Sequence, residues 1–173
     1  QGIELRGVHG TPLDARGGPF HPHQTAATAR SLFEKNLQIP CLDAVCDLSD
    51  QGACEENRRE IAACMEIARN LSVPYVRIHA TGEGEGAAEA AAHCLAEERG
   101  VTLLLETVGA FSDTARLRDV LNRFASDRLA ALWDLHHPYR DRGESPETTI
   151  QNLGAYVRHV HVKDSVVEGG RVR

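Results

Sequence analysis

The chain has 173 residues, with 19 Lys and Arg against 25 Asp and Glu for a formal net charge of −6. That length suffices for one domain with a sizeable core. The acidic balance speaks against a nucleic-acid surface, which needs clustered positive charge, and no apolar run reaches the roughly 18 residues of a membrane helix.

The first element is a β-rich run over Gly2–Val8, followed by a helical pattern over His23–Lys35. A second run, Ile39–Leu48, precedes a helix over Cys54–Asn70 that places Ile61, Cys64, Met65 and Ala68 on one face. Val73–His79 reads as the third strand, and Glu85–Arg99 as an Ala-rich helix stopped by Gly100. After the strand Val101–Thr107 comes a helix over Ser112–Phe124, with Ser112 as its expected cap. Leu129–Leu135 is the fifth strand. Ser145-Pro146-Glu147 carries the cap, proline and acid of a helix start, and Val157–Lys163 is the last strand. Gly82–Gly86 and Arg140–Ser145 read as surface loops. No linker divides the chain, so residues 1–173 are expected to form a single domain.

Five cysteines (Cys41, Cys46, Cys54, Cys64 and Cys94) are odd in number and contain no Cys-x-x-Cys. Buried reduced thiols are therefore expected, not a disulfide framework or a cysteine zinc site. No signal-peptide pattern opens the chain, which starts on Gln1 instead of Met, so a trimmed, soluble, cytoplasmic protein is expected.

Strands alternating with helices imply a parallel sheet flanked by helices. The strands at 101, 129 and 157 step by 28 residues. A (β/α)8 barrel spends about 31 residues per unit, so this length holds between five and six units. A doubly wound open sheet is the competing α/β architecture, but its Gly-rich first turn is missing.

Chemistry in parallel α/β folds collects at the C-terminal strand ends. Those ends are His79, Glu106, Asp134 and His161, separated by 27, 28 and 27 residues. Alternation pairs Leu104 with Glu106, Leu132 with Asp134, and His159 with His161 and Lys163. Taken singly, each has a plain structural explanation: an exposed strand end for Glu106, a cap for Asp134, a hydrogen-bonded core imidazole for His161. The regular spacing is what those explanations do not predict. Two carboxylates and an imidazole on one rim make a divalent-metal site of mixed O and N ligands, suited to Mn²⁺, Mg²⁺, Co²⁺ or Zn²⁺.

The motifs Gly2-Ile-Glu-Leu-Arg6, Leu104-Leu-Glu-Thr107, Trp133-Asp-Leu-His-His137 and Arg158-His-Val-His-Val-Lys-Asp164 resemble the xylose isomerase-like sugar phosphate isomerase/epimerase family. The resemblance implies a TIM barrel of which this chain spans strands two to seven, cut before the first strand and before the eighth, which carries a further ligand Glu. It implies Glu106, Asp134 and His161 as metal ligands and Glu106 as acid/base. It also implies His137 as a substrate contact and Lys163 and Asp164 as polar substrate or supporting contacts. Arg77 and His79 share a strand face and are expected to meet an oxygen-rich substrate. Glu4, Arg6 and His9 close the preceding strand in the same way, and His159 lies one layer deeper, where it can orient a ligand.

Proton abstraction next to a carbonyl is the chemistry such a site supports. The expected function is divalent-metal-dependent isomerisation or epimerisation of a sugar, sugar phosphate or polyol-derived substrate. A metal-dependent dehydratase of inosose or 3-dehydroshikimate type, an AP endonuclease-like phosphodiesterase, and an inactive barrel fragment are the alternatives. Neither a nucleic acid nor a membrane is an expected partner, and a homo-oligomer is compatible with the sequence.

Overall fold

The computed structural model describes residues 1–82, 100–168 and 171–172. Five parallel strands form one sheet: β1 (Cys41–Asp47), β2 (Tyr75–His79), β3 (Thr102–Glu106), β4 (Leu129–Asp134) and β5 (Val157–His161). They lie side by side in chain order. A doubly wound sheet reverses its strand order at a switch point; this one winds in a single direction, as a barrel does.

The helices are α1 (Thr25–Glu34), α2 (Cys54–Leu71), α3 (Thr114–Phe124), α4 (His136–Arg142) and α5 (Pro146–Leu153). Among the described residues no helix is long and apolar enough to cross a membrane. The helix expected over Glu85–Arg99 lies outside the described residues. Asp113, not Ser112, caps α3, its carboxylate accepting from Arg116 N at 3.2 Å; Ser112 belongs to the preceding 3₁₀ turn, its hydroxyl donating to Gly109 O. Arg140–Arg142, read as loop, belong to α4, which ends on left-handed Gly143 (φ 65°). The Ser145 cap and Pro146 start of α5 stand as expected, with Ser145 Oγ accepting from Thr148 N.

Alternation along each strand separates two faces. Leu42, Ala44, Val76, Ile78, Leu103, Leu105, Leu129 and Ala131 join Ile61, Met65, Leu117 and Leu121 of the helices in the main core. Cys41, Leu104, Ala130 and Leu132 form a second buried cluster on the opposite face. Both faces of β3 are thus covered, which is why Leu103-Leu104-Leu105 is an unbroken apolar run. Cys41, Cys46 and Cys64 are free and buried, and burial pushes the Cys41 and Cys46 thiols up to about 12.

The run expected as a strand over Gly2–Val8 is only partly one. Its start pairs in parallel beside β1, with bridges Gly2–Gln38 and Leu5–Leu42 and a bond from Asp43 N to Leu5 O of 2.9 Å. Gly7–Val8 then turns back on Thr11–Pro12 through His9 (φ 51°) and Gly10 (φ 80°). Two successive positive φ values are those of a tight hairpin turn, which the His-Gly pair allows.

Gly109 follows β3 at φ 58°, and a Cβ there would lie 2.4 Å from Ala80 O and 2.5 Å from Thr81 Cα. The loops after β2 and β3 meet backbone to backbone at this point, with Ala110 N donating to Ala80 O at 3.3 Å. Gly109→Ala is expected to destabilise the protein by more than about 1 kcal/mol. A denaturant midpoint unchanged from wild type would contradict this packing of the two loops.

Candidate active site

The face opposite the main core carries polar residues at its C-terminal end. Register aligns them: Glu106 faces Leu132 across β3 and β4, and Asp134 faces His161 across β4 and β5. Glu106 is 6% exposed and Asp134 2%. Together with His161 they bring one ligand atom each within 4.8 Å of one another. The three residues predicted from spacing therefore converge.

Each carboxylate is held. Glu106 Oε1 lies 3.5 Å from Arg77 Nη1 and 3.5 Å from His161 Nδ1. Burial pushes the Glu106 carboxyl up, but His161 and Arg77 outweigh it and leave it below the usual carboxylate range. Asp134 Oδ1 accepts from His136 N at 2.9 Å, and Oδ2 pairs with Lys163 Nζ at 2.9 Å. Burial again pushes up, and Lys163 and the His136 N–H bring the group below its ordinary value. Thr107 locks the strand end, its hydroxyl accepting from Asp134 N at 2.9 Å and lying 3.1 Å from Asp134 O.

His137 stands on α4 with Nδ1 3.0 Å from Asp141 Oδ2 and Nε2 2.9 Å from Lys163 Nζ. An ammonium can only donate, so this contact suits a neutral imidazole with its proton on Nδ1, toward Asp141. Lys163 thus bridges Asp134 and His137. Asp164 is exposed and accepts from Ser165 N at 2.7 Å. Arg77 donates to Asp43 from Nε at 3.0 Å and Nη2 at 2.7 Å, so its guanidinium is shared between Asp43 and Glu106. His79 shares that strand face, and its buried Nδ1 has no hydrogen-bond partner among the described residues.

Two members of the site were not expected from spacing. Asp43, buried on β1, anchors Arg77, and burial outweighs that arginine to push its carboxyl up. Its place two residues after Cys41, on the inward side of an apolar strand, was the available signal. Glu4 was expected to close its own strand and meet an oxygen-rich substrate there. It reaches instead to His159 Nε2 (2.6 Å) and His161 Nε2 (3.0 Å) on β5. In a flat sheet these edges would lie about 24 Å apart at about 4.8 Å per strand, beyond the combined reach of the two side chains. The sheet is therefore strongly curled, with the site on its concave side.

The donor set fits a divalent cation: two carboxylates and an imidazole nitrogen within 4.8 Å suit hard to borderline metals. Among the described residues two further groups share members with it, Glu4–His159–His161 and Asp134–His136–His137.

The sequence matches the xylose isomerase-like TIM barrel family over residues 1–173, and the chain belongs to that family. None of the curated proteins matches it. Among solved structures, a xylose isomerase domain protein from Planctomyces limnophilus is similar at 16% identity and TM-score 0.72, over 84% of this chain and 62% of that one. The 3-keto-D-glucoside 4-epimerase YcjR from E. coli is similar at 11% identity and TM-score 0.68, over 82% and 65%. The IolI protein, solved with a bound zinc atom, is similar at 19% identity and TM-score 0.65, over 83% and 58%. This chain thus spans less than two thirds of the length of each.

His161 is raised from its ordinary 6.5 to about 9 by hydrogen bonds to Glu106 and Glu4, against burial, which lowers it. A histidine whose folded pKa exceeds its unfolded one contributes stability in full below about 6.5 and loses it as the pH rises through about 9. In the metal-free protein, His161→Gln is expected to be less stable than wild type at pH 6 and to approach it above pH 9. Urea titrations at both pH values check this, and a deficit that grows with pH would contradict it.

Proposed function

We propose that this chain is a divalent-metal-dependent sugar isomerase or epimerase, acting on a sugar or sugar phosphate by removing a proton next to a carbonyl. The observation that carries the proposal is the convergence of Glu106, Asp134 and His161 at the ends of three adjacent strands. The epimerase and the zinc-bound protein among the similar structures support it. Glu106, Asp134 and His161 would hold the cation, which supplies Lewis-acid polarisation of the substrate carbonyl.

The remaining chemistry belongs to the chain. Glu106, kept ionised by Arg77 and His161, is present as carboxylate at neutral pH and can accept the carbon-bound proton. Return of that proton to the neighbouring carbon gives isomerisation, whereas epimerisation takes a second acid that delivers a proton to the opposite face of the same carbon. His137, oriented by Asp141, presents Nε2 toward Lys163 and Asp134. It is the group placed to meet a substrate hydroxyl. Lys163 brings a positive charge to the same point, suited to a carbonyl oxygen or a phosphate. His79 offers a buried nitrogen on the same strand face with no hydrogen-bond partner among the described residues. Asp164, exposed next to Lys163, would serve as a polar substrate or supporting contact.

The test is solvent-deuterium exchange into a panel of ketoses, ketose phosphates, inososes and 3-dehydroshikimate, followed by NMR with added Mn²⁺, Mg²⁺, Co²⁺ or Zn²⁺. Glu106→Gln is expected to lower exchange by at least about 10²-fold. Wild-type exchange retained in Glu106→Gln would contradict the role of Glu106. Loss of water instead of exchange from an inosose or 3-dehydroshikimate would assign the chain to the dehydratases.

A further inference from the structure

His161 is approached from two sides. Its Nδ1 lies 3.5 Å from Glu106 Oε1. Its Nε2 lies 3.1 and 3.0 Å from the two Glu4 oxygens. Glu4 Oε1 is in turn 2.6 Å from His159 Nε2, and the His159 and His161 rings meet edge to face at 5.4 Å.

These distances distinguish ligands of one ion from hydrogen-bond partners. Two O or N ligands, each about 2.1 Å from one cation, stand roughly 3.0–3.4 Å apart. The His161 Nδ1 to Glu106 spacing is close to that. The Glu4 to His161 spacings of 3.0 and 3.1 Å fit a ligand pair and a hydrogen bond alike, but the Glu4 to His159 spacing of 2.6 Å is shorter than a ligand pair and is that of a charge-assisted hydrogen bond. The short Glu4–His159 contact marks Glu4 as a hydrogen-bond partner of that imidazole, within a group whose atoms are also near enough to form a ligand set.

We propose that Glu4 is a positioning residue for the metal site: it accepts the Nε2 proton of His161, so that Nδ1 faces Glu106, and His159 holds Glu4 in that place. The proposal rests on Glu106, Asp134 and His161 being metal ligands. Imidazole ligands characteristically donate their second N–H to a carboxylate, which fixes tautomer and ring orientation. The carboxylate here comes from the opposite edge of the sheet, 157 residues away in sequence. His159 donates to the same oxygen and so limits the rotation of the Glu4 side chain. Any change in sheet curvature that withdraws residues 2–6 would release His161.

The test loads the chain with ¹¹³Cd²⁺ and with Zn²⁺, counts ions per chain, and reads from long-range ¹H–¹⁵N spectra which His161 nitrogen is bonded to metal. One ion per chain is expected, bonded to Nδ1 and lost in Asp134→Asn. Glu4→Ala is expected to weaken metal binding roughly 10- to 100-fold. Glu4→Gln, whose amide oxygen still accepts a proton, is expected to recover part of that loss with unchanged backbone shifts. Bonding through Nε2 overturns the proposal, and this readout needs only the wild-type chain should Glu4→Ala fail to fold. So does a Glu4→Ala affinity within about twofold of wild type, or a second ion whose binding depends on Glu4. Asp134-dependent binding that ignores Glu4 overturns this proposal alone, whereas a chain that takes up no ion overturns the metal reading with it.

Discussion

Two carboxylates, Glu106 and Asp134, are buried side by side at the ends of neighbouring strands, and most polar contacts of the concave face answer that constraint. A buried carboxylate without a partner is strongly unfavourable, and two that sit together raise each other's pKa. Arg77 and His161 meet Glu106, while Lys163 and the His136 N–H meet Asp134. The three side-chain partners are each engaged on a further side, Arg77 by Asp43, His161 by Glu4 and Lys163 by His137. The charges are chained, so the removal of one member leaves its neighbour uncompensated.

That chain also ties the site to the fold. Asp43, Arg77, Glu106 and His161 come from β1, β2, β3 and β5, and Glu4 from the segment beside β1. The ion pairs therefore run along the inside of the curled sheet from one edge to the other. The apolar side chains of the opposite face hold the same strands against α2 and α3. Packing on one face sets the strand positions, and the inward residues then meet at distances that suit proton sharing at Glu4 and cation binding at Glu106.

How much of this was legible follows from range. The faces of β3 and β4 and the triad Glu106, Asp134 and His161 follow from period-two alternation and a repeat of one strand and helix, both local properties. The Glu4–His161 contact depends on curvature, which no local pattern encodes. The pairing of Asp43 with Arg77 depends on strand register, set by packing of the helices. α4 escaped notice because it is seven residues long and holds Pro138 in its first turn. The Gly2–Val8 run is shorter as a strand than its apolar residues suggest because Gly7–Val8 pairs back on Thr11–Pro12 through the His9-Gly10 turn.

The proposed function requires Glu106, Asp134 and His161 to form one cation site at the mouth of the curled sheet. Anomalous diffraction from crystals grown with Mn²⁺ tests it most directly. The account predicts a peak within about 2.5 Å of a Glu106 oxygen, an Asp134 oxygen and His161 Nδ1, with Glu4 still hydrogen-bonded to Nε2. A peak between Glu4 and His159, or none near Asp134 at saturating metal, would contradict it.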